Sequence, residues 1–142
     1  MNAYNHILQS IFCVLLLSLL SIGPASAQTI RSSSYQTVAH IQSDGTIQDA
    51  SYRIIGHINS DGTVQDASYR IIGRIEGDGT VLDDRYRIMG HIEGDGTVQD
   101  SSYRIIGHVQ GDGTVQDASY RIIGRADGIP MKWAAYYFFF RK

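Results

Sequence analysis

The stretch that decides the fold is HIQSDGTIQDASYRIIG at residues 40–56, because the chain repeats it with a period of 17 residues. The further copies are HINSDGTVQDASYRIIG (57–73), RIEGDGTVLDDRYRIMG (74–90), HIEGDGTVQDSSYRIIG (91–107) and HVQGDGTVQDASYRIIG (108–124). A half-copy at 33–39 precedes them, and a degenerate start at 124–129 follows. Incomplete terminal units are typical of repeat folds, since the end units face different neighbours.

Each unit carries a strand pattern. In residues 52–58, Tyr52, Ile54, Gly56 and Ile58 alternate with polar or outward positions, which predicts one apolar face. We therefore predict long strands that begin at the repeated tyrosines and alternate with short strands such as 63–66. These tyrosines are Tyr35, Tyr52, Tyr69, Tyr86, Tyr103 and Tyr120.

Facial matching predicts the turns between the strands. A three-residue loop at 60–62 with Gly62 in the left-handed conformation places Ile58 opposite Val64, so both apolar residues share a face. The same role is predicted for each turn glycine: Gly45, Gly62, Gly79, Gly96 and Gly113. At the other end of the unit, the turn at 66–69 is predicted to place Val64 opposite Ile71, with the aspartate bonding the turn backbone.

The predicted fold class is all-β, an antiparallel meander of about eleven short strands. One hairpin cannot bury its own apolar face, so the units must stack as a solenoid or surround an axis. A glycine in every long strand indicates close backbone approach or a bulge, which favours a crowded axis and a radial arrangement. These glycines are Gly56, Gly73, Gly90, Gly107 and Gly124.

The five DGTV or DGTI hairpins with D-x-S-Y-R-I-I-G resemble the secreted bacterial five-fold β-flower proteins, over residues 32–142. The resemblance implies five hairpins arranged radially within one chain, in bacteria, and it implies no catalytic residue. The third unit departs from the pattern at residues 82–85 and at Met89.

The C-terminal segment 131–142 is dense in aromatic residues, namely Trp133, Tyr136, Tyr137, Phe138, Phe139 and Phe140. Each aromatic side chain buries roughly 150–250 Å² when packed, so exposing all of them would favour aggregation. We therefore predict a final strand or plug that packs on the repeat core at 28–130. A contact surface for a membrane, a partner chain or carbohydrate is the alternative.

Residues 1–27 have the pattern of a secretory signal peptide, with an apolar stretch at 11–22 and the cleavage sequence Ala25-Ser26-Ala27. The single cysteine, Cys13, lies within that stretch, so no disulfide is predicted. We expect a protein exported to the periplasm or the exterior of a bacterium. With 12 basic and 14 acidic residues, the charge is near balance, which argues against nucleic-acid binding.

Repeated polar residues offer several chemistries. His40, His57, His91 and His108 share one repeat position, but arginine takes it at 74 and 125, so a metal-binding ring is not predicted. The paired aspartates of each unit are explained by turns, and their spacing does not match an EF-hand. The recurring Tyr-Arg pairs suggest a stacking surface for sugars or peptides. Adjacent strand residues point to opposite faces, however, so we expect the tyrosines at the core edge and the arginines outside.

No residues combine into a predicted catalytic or cofactor-binding site, since repeated positions do equivalent work and catalysis needs one asymmetric site. The sequence thus predicts a non-enzymatic structural or binding module of the cell envelope or exterior. The sequence does not identify its partner, for which an envelope glycan or protein is a candidate. The alternative is an envelope protein that makes peripheral membrane contact through the aromatic C-terminal segment.

Overall fold

The computed structural model describes residues 28–142, and the predicted signal peptide lies outside them. The described residues contain twelve β-strands and one α-helix, α1, at Met131–Phe139. The strands are β1 (Thr29–Ser32), β2 (Thr37–Ile41), β3 (Thr46–Asp49), β4 (Ile54–Ile58), β5 (Thr63–Asp66), β6 (Ile71–Ile75), β7 (Thr80–Asp83), β8 (Ile88–Ile92), β9 (Thr97–Asp100), β10 (Ile105–Val109), β11 (Thr114–Asp117) and β12 (Ile122–Asp127).

All twelve strands form one closed antiparallel barrel in chain order. Strand β1 closes it by pairing with both β12 and β2, with Ile30 opposite Ala126 on one side and Ala39 on the other. The sequence prediction of about eleven strands missed β1, because residues 29–32 lie before the repeat. Closure removes the unpaired edges that an open meander would expose.

The predicted glycine turn is confirmed. Ile58 lies opposite Val64, and the backbone N–H of Gly62 donates to the carbonyl of Asn59 at 3.0 Å. The five turn glycines have φ of 87–92°. We call the end of the barrel that carries these loops the glycine-turn end.

The second turn of each unit differs from the prediction, and we call that end the tyrosine-turn end. The strands begin two residues after the tyrosines, as β4 does at Ile54 after Tyr52. Val64 lies opposite Gly73 rather than Ile71, because a β-bulge at Val64/Gln65 shifts the register between β5 and β6. The predicted alternation therefore fails before the bulge: Ile54 is exposed, whereas Gly56 and Ile58 are buried.

The core lies inside the barrel. Its wall consists of β-branched residues from both strands of each hairpin, such as Ile58 and Val64, each 1% exposed. Four glycines of the long strands lie close to aromatic side chains of the C-terminal segment. A Cβ at Gly107 would lie 2.2 Å from Phe139, and one at Gly124 would lie 2.6 Å from Phe138.

The aromatic segment is a helix, so the predicted final strand is wrong. Successive aromatic residues of a helix point about 100° apart, and Tyr136, Phe138, Phe139 and Phe140 accordingly contact four different long strands, at Gly73, Gly124, Gly107 and Gly90. Apart from Lys132, α1 is apolar, and a helix of that composition is stable when it packs against other apolar groups. The β-propensity of tyrosine and phenylalanine favoured the wrong element, since it reflects packing context more than an intrinsic preference.

Candidate functional site

The turns at the tyrosine-turn end are built on one aspartate each. In the first complete unit, the Asp49 carboxylate accepts hydrogen bonds from the backbone N–H of Ser51 at 2.8 Å and of Arg53 at 3.0 Å. It also accepts one from Arg53 Nε at 2.9 Å. The backbone hydrogen bond from Arg53 is the main reason that the pKa of Asp49 lies below its ordinary value. This network fixes Ala50 and Ser51 and orients the residue that follows them, directly before Arg53.

That following residue is the repeated tyrosine, and its backbone is left-handed. All six tyrosines have φ of 62–63°. For a bulky side chain this region is a genuine outlier, and the left-handed conformation costs roughly 1–2 kcal/mol per residue. Strain of this kind, repeated at one position, is a reason to look for a surface role. We call Tyr35, Tyr52, Tyr69, Tyr86, Tyr103 and Tyr120 the tyrosine belt.

Four tyrosines of the belt lie flat on a histidine twelve residues earlier. The pairs have ring centroids 4.3–4.6 Å apart and interplanar angles of 9–14°. They are His40–Tyr52, His57–Tyr69, His91–Tyr103 and His108–Tyr120. One face of each of these four rings is therefore backed by imidazole, and the side chains are nevertheless 64–66% exposed.

The belt is exposed, which contradicts the prediction that the tyrosines lie at the core edge. Its members are 64–72% exposed. The argument that Tyr52 and Arg53 must point to opposite faces fails, because it holds for strand residues and Tyr52 lies in a turn. The four-residue pattern D-x-S-Y could have indicated a turn that ends at the tyrosine. The bulk of the tyrosine side chain argued against a left-handed conformation there.

Arginine and isoleucine side chains flank the belt. Arg53 is 80% exposed although its Nε bonds to Asp49, and Arg70, Arg104 and Arg121 repeat this arrangement. Only the Nε–H of these guanidinium groups bonds within residues 28–142, so the Nη donors face solvent. The neighbouring isoleucines, such as Ile54 and Ile71, are about half exposed. Each unit thus presents an aromatic face, hydrogen-bond donors and an apolar side chain.

The third unit differs. Tyr86 keeps the left-handed backbone, but Arg74 stands where the other units have histidine. Arg74 Nε lies 3.9 Å from Glu76 Oε1. The tyrosine conformation therefore does not depend on the stacked histidine.

The histidines do not form a metal-binding cluster. Within residues 28–142, no group of three or more histidine, cysteine, aspartate or glutamate side chains is placed to hold a metal ion. Each histidine lies in its own strand pair, as His57 does opposite Gln65, and Nε2 of His57, His91 and His108 is buried without a hydrogen-bond partner in the described part of the chain. The aspartates of the glycine turns are occupied too, since Asp61 Oδ1 accepts a 2.9 Å hydrogen bond from the Thr63 N–H. That bond is the main cause of the lowered pKa of Asp61.

The residues singled out in the C-terminal segment do not form an exposed patch. Tyr136 and Phe140 are buried, and Trp133, Tyr137, Phe138 and Phe139 are partly buried against the core. Burial raises the pKa of the Tyr136 hydroxyl. The described residues contain no helix that is long and apolar enough to cross a membrane.

These observations define a closed all-β repeat barrel with a repeated aromatic surface. Residues 27–142 match the model of the 5-fold beta-flower protein family, and the chain belongs to that family. Neither the curated proteins nor the solved structures include a significant match.

Proposed function

We propose that the protein is an exported, non-enzymatic module that binds a glycan at the cell envelope or outside the cell, and that the tyrosine belt is its binding surface. The observation that carries the proposal is the flat, histidine-backed tyrosine ring with its outer face exposed, repeated in four units. The apolar C–H face of a sugar ring stacks on such an aromatic face.

The flanking groups supply the polar half of the contact. The arginine Nη donors beside each ring suit the hydroxyl oxygens of a sugar, and the aspartate holds the guanidinium in a fixed orientation. Because the units surround one axis, the belt repeats one weak site around the barrel. Several linked weak contacts raise the apparent affinity by about 10²–10⁴ when one polymer engages them together.

We also propose that the five hairpins are arranged radially and that α1 acts as a plug at their centre. The contacts of Phe138, Phe139 and Phe140 with three long strands support the plug role, since the helix occupies the space around which the hairpins are arranged. Membrane docking through the aromatic segment is less well supported, because none of its aromatic side chains is strongly exposed.

The test is retention of residues 28–142 on insoluble peptidoglycan, chitin and cellulose, and retardation in gels that contain soluble dextran or mannan. The informative variant replaces Tyr52, Tyr69, Tyr103 and Tyr120 together by glycine. Glycine relieves the left-handed strain of roughly 1–2 kcal/mol per site while removing a stacking contact of about 0.5–1.5 kcal/mol, so the fold should persist.

We expect wild-type protein to bind at least one polysaccharide and the quadruple variant to lose at least a hundredfold in apparent affinity. The matched single variants are Tyr69→Gly and Tyr86→Gly, and only the first removes a histidine-backed ring. The first should weaken binding more than the second. Failure of every polysaccharide to bind, or unchanged binding by the folded quadruple variant, would overturn the proposal.

A further inference from the structure

A cavity of about 240 Å³ lies at the glycine-turn end, on the opposite end of the barrel from the tyrosine turns. It is formed between the glycine loops that follow β4 and β6, with the first turn of α1 as its third side. Ile58 and Ile75, both buried, form its apolar floor. Pockets for drug-sized ligands run roughly 300–1,000 Å³, so this cavity suits a single small ring.

Polar groups from the two loops line the cavity. Asn59 donates through Nδ2 to Gln65 Oε1 at 3.1 Å, which leaves its carbonyl oxygen as an acceptor. Asp61 adds a carboxylate, whose Oδ1 accepts a hydrogen bond from the Thr63 N–H. Glu76 adds a second carboxylate, held loosely by Arg74 at 3.9 Å. Several acceptors therefore surround one small volume.

The helix contributes an aromatic ring and an anchored cation. Trp133, the single tryptophan of the chain, is half-buried and lines the cavity. Beside it, Lys132 Nζ donates to the carbonyl oxygen of Gly77 at 3.0 Å, which ties the helix to the rim of the second loop. The Trp133 indole is thereby held against loops that carry oxygen acceptors.

A second cavity at the same end shows what is particular about the first. It has about 300 Å³ and is lined by the equivalent loop of the last unit, including Gln110 and Asp112. Its helix side is Ile129 and Met131, and none of its lining residues is aromatic. The loops 59–62 and 110–113 are equivalent, but the second cavity has residues 126–129 where the first has Glu76 and Gly77. The second cavity therefore lacks both the aromatic ring and the Glu76 carboxylate.

We infer that the cavity at Trp133 binds a single pyranose ring. The indole of Trp133 packs against the C–H face of the sugar, and Asn59, Asp61 and Glu76 accept hydrogen bonds from its hydroxyl groups. The inference rests on the proposed saccharide-binding function but uses residues outside the tyrosine belt. The belt would contact units along a polymer, and the cavity would hold one sugar unit.

Because Trp133 is the single tryptophan, its fluorescence reports on this cavity alone. We would titrate residues 28–142 with glucose, galactose, mannose, N-acetylglucosamine and N-acetylmuramic acid, with open-chain sorbitol as the control. The expected result is a saturable change in Trp133 emission for at least one pyranose, with half-saturation in the millimolar range, and no saturable change for sorbitol. A flat response to every pyranose would overturn the inference.

Matched variants locate the site. Glu76→Gln replaces one carboxylate oxygen by an NH2 donor and removes the charge, and Asn59→Ala removes the amide oxygen. Each should reduce the affinity for the active sugar by about tenfold or more. Glu93→Gln changes the same repeat position one unit later, outside this cavity, and should leave the titration unchanged. Equal effects of Glu76→Gln and Glu93→Gln would contradict the assignment.

The quadruple tyrosine-to-glycine variant separates the two proposals. It should keep the Trp133 titration while losing polysaccharide retention. If the wild type is not retained on any polysaccharide but the Trp133 titration saturates, the cavity assignment is supported and the tyrosine-belt proposal is wrong. If the wild type is retained and the Trp133 titration is flat, the tyrosine-belt proposal is supported and the cavity assignment is wrong.

Discussion

Both turns of each unit contain a residue with left-handed backbone, but that residue is glycine in one turn and tyrosine in the other. At the glycine-turn end, Gly62 takes a φ of 87°, and a Cβ there would lie 2.1 Å from the carbonyl oxygen of Ile75. At the tyrosine-turn end, Tyr69 takes a φ of 63° with a full side chain that is 64% exposed. The first turn is explained by steric necessity alone. The second turn has a tyrosine in a backbone conformation that glycine adopts with less strain, which points to a surface role for the tyrosine side chain.

The largest expected effect comes from filling the glycine turn. Gly62→Ala combines the left-handed penalty with an overpacked contact to Ile75, which together predict a loss of roughly 2–5 kcal/mol in the free energy of unfolding. Urea unfolding followed by circular dichroism measures it. Gly77→Ala is the control, because a Cβ there meets nothing within 4 Å. A similar loss in both variants would show that the close approach to Ile75 is not what selects glycine.

Acid should weaken both kinds of turn together. The pKa values of ten turn aspartates lie below the ordinary value of 3.8, chiefly because backbone N–H groups bond to the carboxylates. A depressed folded-state pKa gives stability that is complete above the unfolded-state pKa and is lost as the pH falls through the folded-state pKa. We expect urea midpoints to be constant near neutral pH and to fall steeply below about pH 4.

Salt distinguishes the cause of that acid effect. A backbone hydrogen bond is the main cause of the lowered pKa in each of these aspartates, and the charge of a nearby arginine or histidine lowers the pKa by less. Molar salt screens exposed charges strongly, so it should change the acid-induced loss only slightly. If molar salt removed most of the loss, ion pairs rather than turn hydrogen bonds would be responsible.

A smaller effect compares the aspartates of the two turns directly. Asp66 accepts hydrogen bonds from the Ser68 N–H, the Arg70 N–H and Arg70 Nε, at 2.8, 3.0 and 2.9 Å. Asp61 accepts one from the Thr63 N–H at 2.9 Å. Asp66→Ala should therefore lower the thermal midpoint more than Asp61→Ala. The reverse order would mean that the exposed tyrosine turn is held by contacts other than its aspartate.

The regular part of the fold was predictable because it is local. The glycine turn follows from three adjacent residues and from matching Ile58 with Val64, and the register agrees. Repetition of one unit then implied equivalent hairpins with a glycine facing a crowded interior. The candidate site was not predictable in the same way: the tyrosines were assigned to strands, and the bulge that moves Val64 from Ile71 to Gly73 leaves no clear mark in the sequence.

The sequence alone determined the repeat, the family, the hairpins and the positions of the turns, since each depends on neighbours within one unit. Tertiary structure decided the rest. Strand β1 pairs with its neighbour β2, but the barrel closes only when β12 pairs with the other side of β1, more than ninety residues later in the chain. The segment 131–139 is a helix whose aromatic side chains lie against strand glycines, and a helix satisfies its own backbone hydrogen bonds in such an apolar setting. The tyrosines are exposed because the aspartate network turns the chain before each long strand begins.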